Sequence, residues 1–186
     1  MSPSNEGLDK TSAQIKALLD AGKKAQALEL ISKSYGDTIY WHARRMVVVH
    51  EDAQDVLQES FIRIVRGIDS FKWESKLSSW IYRIAVNECL RMLDNRSKRL
   101  QTQSLEDISK MITSSDYVDL GNEAAIKLQA AIQKLPNKQQ AVFNLRYYDD
   151  LSYEEIAEIT DSNPSSAKMN YHHAKERILK MITNND

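Results

Sequence analysis

Trp80, Arg83, Asn87, Arg91 and Asp94 fall at i, i+3, i+7, i+11 and i+14, which on a helix is one surface stripe. An indole offers a stacking face, an amide can hydrogen-bond a base edge, and a guanidinium pairs with phosphate. Just ahead, Phe71-Lys72-Trp73-Glu74-Ser75-Lys76 adds two aromatics and two lysines, and Arg96, Lys98 and Arg99 follow. Aromatics interleaved with amide and cationic groups suit single-stranded nucleic acid whose bases have left the stack. Lys72, Trp73, Lys76, Ser79, Trp80, Arg83 and Asn87 are the candidates for such a surface. The competing reading makes Trp73 and Trp80 core residues. It weighs evenly for Trp73, and less for Trp80, which belongs to the stripe.

A second constellation lies near the C-terminus. Ser152 and Glu155 have capping-box spacing, and Asp161-Ser162-Asn163-Pro164 reads as a turn with Asn163 as N-cap and Pro164 at the first helical position. Two helices so joined have helix-turn-helix spacing. In the second, Ala167, Tyr171, Ala174 and Ile178 point inward, while Ser165, Ser166, Met169, His172 and His173 point outward beside Lys168, Asn170 and Lys175. Small polar side chains at a helix start, flanked by lysines, suit entry into a major groove. The adjacent histidines diverge and lack a third ligand, so metal binding is the weaker reading.

The third constellation is acidic. Between about Asp52 and Ile68 the apolar residues Ala53, Val56, Leu57, Phe61, Ile64, Val65 and Ile68 share one helical face. The other carries Asp52, Asp55, Gln58, Glu59, Arg66 and an isolated Ile62. An apolar residue ringed by charge is the anatomy of a polar-rimmed protein contact, against the plainer reading of a solvated face. Asp52, Asp55 and Glu59 could also ligate magnesium, as in a nuclease, but no second helix offers matching carboxylates.

The elements that position these groups read as helices throughout. Only 5 Gly and 3 Pro punctuate 186 residues, and apolar spacing is helical rather than alternating. Segments are expected from Thr11 to Ile31 with a break at Gly22, then at about 36–49, 52–68 and 78–96, and, beyond Glu123, as four shorter helices. Leu77, Ile81, Ile84 and Ala85 form one apolar flank of the stripe helix; Tyr82, Val86, Leu90 and Leu93 form the other. The Ser/Thr-rich stretch 99–122 reads as a flexible linker between domains 11–98 and 123–186, with residues 1–10 a disordered N-terminus.

Net charge is −1, from 25 basic and 26 acidic residues, so any nucleic-acid affinity must come from charge distribution. One cysteine, Cys89, excludes an internal disulfide and reads as a buried structural thiol. The polar start MSPSNEGLDK is no signal peptide, and no apolar run reaches the roughly 20 residues of a membrane span, so a cytoplasmic protein is expected.

The stretch YGDTIYWHARRMVVVHEDAQDVLQESFIRIVRGIDSFKWESKLSSWIYRIAVNECLRML resembles the second conserved region of sigma factors. AIQKLPNKQQAVFNLRYYDDLSYEEIAEITDSNPSSAKMNYHHAKERI is similar to their fourth. Without further conserved regions, the layout resembles the extracytoplasmic-function group. That resemblance implies an all-α fold of two small helical domains, a role in transcription initiation, and no catalysis or cofactor. It implies that Asp52, Asp55, Gln58, Glu59, Ile62 and Arg63 grip a coiled coil of the largest subunit of RNA polymerase core. Lys72 to Asn87 would capture melted upstream-ten DNA, and the last helix would read the upstream-thirty-five duplex. Further expected partners are the polymerase flap region and an anti-sigma factor, and the regulon is expected to concern stress or the envelope. This chain departs from the family pattern at Trp73, where Gly is frequent, at Ser165-Ser166, where Gly-Thr is common, and at Asn170, which replaces a basic residue. A stand-alone helix-turn-helix regulator is the rival reading, but it lacks dimerisation heptads and leaves the Trp80 stripe unexplained.

The double substitution Glu59→Lys and Ile62→Lys should abolish capture of polymerase core in a pull-down while circular dichroism shows unchanged helicity. Undiminished capture would refute the assignment of this face.

Overall fold

A computed structural model describes residues 5–102, 104–114 and 123–183, with no strand among them. Nine helices are described: α1 (Asn5–Asp20), α2 (Lys24–Val47), α3 (His50–Gly67), α4 (Leu77–Thr102), α5 (Leu105–Ser114), α6 (Glu123–Gln133), α7 (Asn137–Tyr147), α8 (Tyr153–Ile159) and α9 (Pro164–Thr183). A single 3-10 turn, Ile68–Ser70, follows α3.

The local signals for ends hold. Gly22 takes φ +70° after α1, and the amides of Gly22 and Lys23 bond back to the carbonyls of Leu19 and Leu18. Those two bonds are a Schellman motif, which needs a left-handed residue where Gly stands. At α8, Ser152 and Glu155 form the reciprocal capping box. Its far end closes with the Ser162 amide on the Ala157 carbonyl and Asp161 at φ +50°. The Asn163 side chain then accepts from the Ser166 amide at 2.8 Å, capping α9.

Three boundaries differ from expectation. Residues 24–47 form one helix, running through Gly36 and Asp37, because Ile31, Tyr35, Ile39, Ala43 and Met46 continue a single buried stripe. Helix α1 begins at Asn5, inside the stretch expected to be disordered. The expected flexible linker 99–122 includes the end of α4 and the whole of α5. Leu105, Ile108 and Ile112 recur at helical spacing beneath the polar composition, and the two isoleucines are buried against Val48 and Ala130.

Helices α1–α4 enclose one core of Ile15, Ile31, Tyr35, Ile39, Ile64, Ile68, Leu77 and Ile81. A second core joins the two halves of the chain. The flank of α4 bearing Tyr82, Val86, Cys89 and Leu93, with Met46 and Val47 of α2, packs on Ala141, Val142, Leu145, Ile156, Ile159 and Ala167. The α3 face is rotated slightly from expectation: Val65 is 42% exposed and Asp52 and Ser60 turn inward. Ser60 satisfies its hydroxyl on the Val56 carbonyl at 2.7 Å.

Ile64→Ala, which empties a fully buried position, should cost about 2–5 kcal/mol in urea unfolding. Val65→Ala should stay within about 0.5 kcal/mol, as for an exposed site. Equal costs would contradict this orientation of α3.

Candidate nucleic-acid and polymerase interfaces

Asp55, Gln58, Glu59 and Arg63 stand exposed on α3, and Ile62 is half-buried in an open groove with Leu57, Phe61 and Val65 against Ser32 of α2. Asp52 departs from the expected set: it lies buried in the first turn of α3, where the helix N-terminus favours a carboxylate. Arg63 turns toward α4 and pairs with Glu88, which Arg91 grips from the other side. The Glu88 side chain is only 4% exposed, so two cations compensate its burial.

The loop and stripe form a partly packed surface. Phe71, Trp73 and Trp80 cluster, with ring centroids 5.1 Å apart for Phe71–Trp73 and 5.0 Å for Phe71–Trp80. The Trp80 indole also lies against Gly67, where an added Cβ would come within 3.1 Å of its ring. Both tryptophans therefore share packing and surface roles, each half-buried at the edge of the first core. Trp73 sits at φ +60°, a left-handed conformation that glycine adopts without cost and a bulky side chain rarely does. Lys16 lies 5.8 Å from its ring centroid.

Lys72 and Asn87 are exposed, but the rest of the stripe is occupied. Ser79 is 3% exposed, because it shares the helical row of Tyr82, Val86, Cys89 and Leu93 that faces the other half of the chain. The Arg83 guanidinium donates to the Glu158 carbonyl at 2.6 Å, and Lys76 reaches Glu155 at 3.0 Å, both on α8. Burial raises the Glu155 carboxyl, but hydrogen bonds from the Ser152 amide and Lys76 outweigh it and hold the carboxyl below its usual range. Asn137 at the start of α7 donates to Asp94, the last stripe residue, at 2.9 Å.

The helix-turn-helix presents the face expected of it. Ala167, Ala174 and Ile178 are buried, whereas Ser165, Lys168, Met169, His172, His173 and Lys175 are exposed, Met169 to 56%. Ser166 and Asn170 are half-buried. His172 lies 3.4 Å from Glu176, and among the described residues no group of three or more His, Cys, Asp or Glu could hold a metal ion.

A polar cluster at the end of α2 was not anticipated. Asp149, just after α7, has a side chain 2% exposed; it accepts from His42 Nδ1 at 2.6 Å and from Arg45 at 2.5 Å. Gln129 and Gln133 of α6 donate to the Arg45 carbonyl, each at 2.8 Å, and Gln140 of α7 donates to the Met46 carbonyl at 3.0 Å. These amides satisfy carbonyls that the end of a helix leaves without partners. The signal was present in the pairs Gln129/Gln133 and Gln140/Asn144, one helical turn apart and each beside alanine on an apolar face. The Tyr82 hydroxyl nearby is pushed well up, by burial first and by Asp149 second, with Arg45 opposing.

Comparison with known proteins places these surfaces in context. Residues 31–99 match the family described as Sigma-70 region 2, and residues 125–178 match Sigma-70, region 4. The chain is 31% identical over 158 residues to the ECF RNA polymerase sigma factor SigW of Bacillus subtilis, covering 80% of this chain and 84% of that one. It is 32% identical over 137 residues to the ECF RNA polymerase sigma-E factor of Escherichia coli K12, covering 68% and 72%. Among solved structures, the fold is similar to CnrH in complex with the cytosolic domain of CnrY, with a TM-score of 0.66 at 15% identity over 95% of this chain and 97% of that one. It is also similar to the sigma factor RpoE with the anti-sigma factor NepR from Bartonella quintana, with a TM-score of 0.63 at 19% identity over 83% and 96%.

Burial, and after it the neighbouring Glu88 charge, pushes the Cys89 thiol far up from its ordinary value. A disulfide reagent at pH 8 should therefore label Cys89 only as the protein unfolds; labelling of native protein at the unfolded rate would contradict its place in the second core.

Proposed function

This chain belongs to the sigma-70 family, among the extracytoplasmic-function sigma factors of transcription initiation, and from that membership we propose how its surfaces divide the work. The exposed α3 face of Asp55, Gln58, Glu59 and Arg63 around Ile62 docks on the coiled coil of the largest subunit of polymerase core, with Asp52 supporting the face from within. The C-terminal half engages the flap region and, through Ser165, Ser166, Met169, Asn170, His172 and His173, reads the edges of the upstream-thirty-five element. Lys168 and Lys175 anchor its phosphates. Lys72, Trp73, Lys76, Trp80, Arg83 and Asn87 take the melted upstream-ten strand, where each stacked base returns about 1–3 kcal/mol against the cost of melting.

The observation that carries this reading is the pairing in one chain of a capped helix-turn-helix with an aromatic-rimmed stripe bearing Asn87 and Arg83. One element reads closed duplex and the other rewards exposed bases, a division that initiation requires. RNA synthesis itself is left to polymerase; this chain supplies recognition and needs no cofactor. A chain that acts with polymerase on the chromosome would do so in the cytoplasm. No helix among the described residues is long and apolar enough to cross a membrane. Stress or envelope genes are the regulon to which group membership points, and an anti-sigma factor is the expected antagonist.

Asn87→Ala is the clean test of strand capture, because Asn87 is exposed and outside both cores. It should leave closed-complex affinity unchanged and lower permanganate reactivity of unpaired thymines, with partial rescue on a pre-melted bubble. Equal reactivity in variant and parent would overturn the capture role. Lys168→Ala with Lys175→Ala should reduce the slope of log affinity against log salt by about 2, as expected for two lost phosphate contacts. A changed base preference with an unchanged slope would reverse the assigned orientation of α9.

A further inference from the structure

On the outer face of α9 a titratable ring meets a carboxylate. The His172 side chain is 69% exposed, and Glu176, one helical turn on, lies 3.4 Å from its Nε2. Lys168 stands one turn before it. The adjacent His173 has different surroundings. Its ring centroid is 6.3 Å from that of His172, with Met169 one turn before it and Arg177 one turn after. The elements packed on α9 approach its other side. From α6 and α7, Ile132, Leu135 and Phe143 share a core with Ala174 and Ile178, and from α8, Ile156 shares one with Ala167. Arg146 and Tyr147 of α7 and Tyr153 of α8 gather at Tyr171, where Lys175 also lies over the ring. The charged and titratable groups at His172 are thus Glu176, Lys168 and His173.

A histidine that takes a proton changes its hydrogen-bonding pattern as well as its charge. The neutral ring has one N–H and one acceptor nitrogen, whereas the imidazolium has two N–H donors. An ionised carboxylate can only accept, so Glu176 favours a hydrogen on Nε2 in either state. Nδ1 is then the nitrogen left for a base. It accepts when the ring is neutral and donates when the ring is charged. In the major groove adenine N6 and cytosine N4 offer hydrogens, while guanine N7 and O6 both accept. The phosphates of a bound duplex and the Glu176 carboxylate both favour the charged ring. Histidine is the side chain whose charge changes between about pH 5 and 8. The sign follows: falling pH turns His172 from a reader of adenine or cytosine into a reader of guanine. His173 has Arg177, not an acid, at the corresponding i+4 position.

We propose that His172 is a proton-controlled specificity residue: with Glu176 holding its Nε2 hydrogen, it accepts from adenine or cytosine at one position of the upstream-thirty-five duplex when neutral, and donates to guanine there when protonated. The inference rests on the base-reading role given to α9 above. Glu176 is the positioning residue and acts through His172 rather than on DNA. The pair links promoter choice to the pH at which initiation takes place.

Competition within one pool of DNA tests this. Polymerase core carrying the chain is equilibrated in steps from about pH 5.5 to about pH 8.5, the range that spans histidine titration, with promoter duplexes randomised in the upstream-thirty-five element. The bound fraction is then sequenced. Comparing bases within a pool cancels any effect of pH on polymerase itself. The parent should show one position at which guanine gains about fivefold or more over adenine and cytosine as pH falls, the low end of what a base contact discriminates. His172→Gln, whose amide keeps a donor and an acceptor at every pH, should lose that shift. Glu176→Gln should move its midpoint to lower pH, because the anion that favours the imidazolium is gone; a merely structural Glu176 would leave the midpoint in place. His173→Gln should retain the shift. Parent preferences that stay constant across the series would overturn the proposal, and so would a shift that survives His172→Gln. If His172→Gln alters base preference at one position while the parent shows no pH dependence there, proton control alone falls. If it alters no preference at any pH, the base-reading role beneath the proposal falls with it.

Discussion

Helix α4 must satisfy two hydrophobic cores at once, and most of the structure follows from that demand. Leu77, Ile81 and Ala85 belong to the bundle of α1–α4, while Tyr82, Val86, Cys89 and Leu93 belong to the contact with α7–α9. A helix buried on two flanks has only a narrow strip left for polar work, and that strip carries Arg83, Asn87, Arg91 and Asp94. Rigid support on both sides is what a surface needs if it is to hold flipped bases at fixed positions. The same geometry brings the C-terminal half within reach of the strip, where Arg83 donates to the Glu158 carbonyl and Asp94 accepts from Asn137.

The two cores differ in kind. The first is almost wholly aliphatic and aromatic. The second is bordered by buried amides, a histidine, an arginine and a carboxylate at the end of α2. Helix α2 stops there with Val48 at φ +65°, an unfavourable conformation for a β-branched residue, enclosed with Ile108, Ile112 and Ala130. The helix end that receives the Gln129, Gln133 and Gln140 amides is thus fixed by packing from α5 and α6, the elements that connect the two halves of the chain.

Much of this was legible in the sequence because it is written in local rules. Gly22, the Ser152–Glu155 box and Asn163-Pro164 each specify a helix end by backbone chemistry, and the structure uses all three. Both flanks of α4 were readable from spacing. Their destinations were not, since periodicity tells which residues are buried and not what covers them. Helix α5 was hidden by its Ser and Thr content, although Ile108 and Ile112 already carried its period. The inward turn of Asp52 and Ser79 depends on neighbours distant in the chain. The Asp149 cluster lay beyond reach for the same reason: His42 and Asp149 are 107 residues apart, and neither stands out in its own segment.

Promoter choice is the property in which the roles proposed for the α3 face, the stripe and α9 meet, and it can be read without altering a residue. Polymerase core with and without the purified chain would be supplied with genomic DNA, and the 5′ ends of the transcripts sequenced. The account predicts a discrete set of starts, absent with core alone and sharing two short upstream elements at a fixed spacing. The same distribution of starts with and without the chain would contradict it.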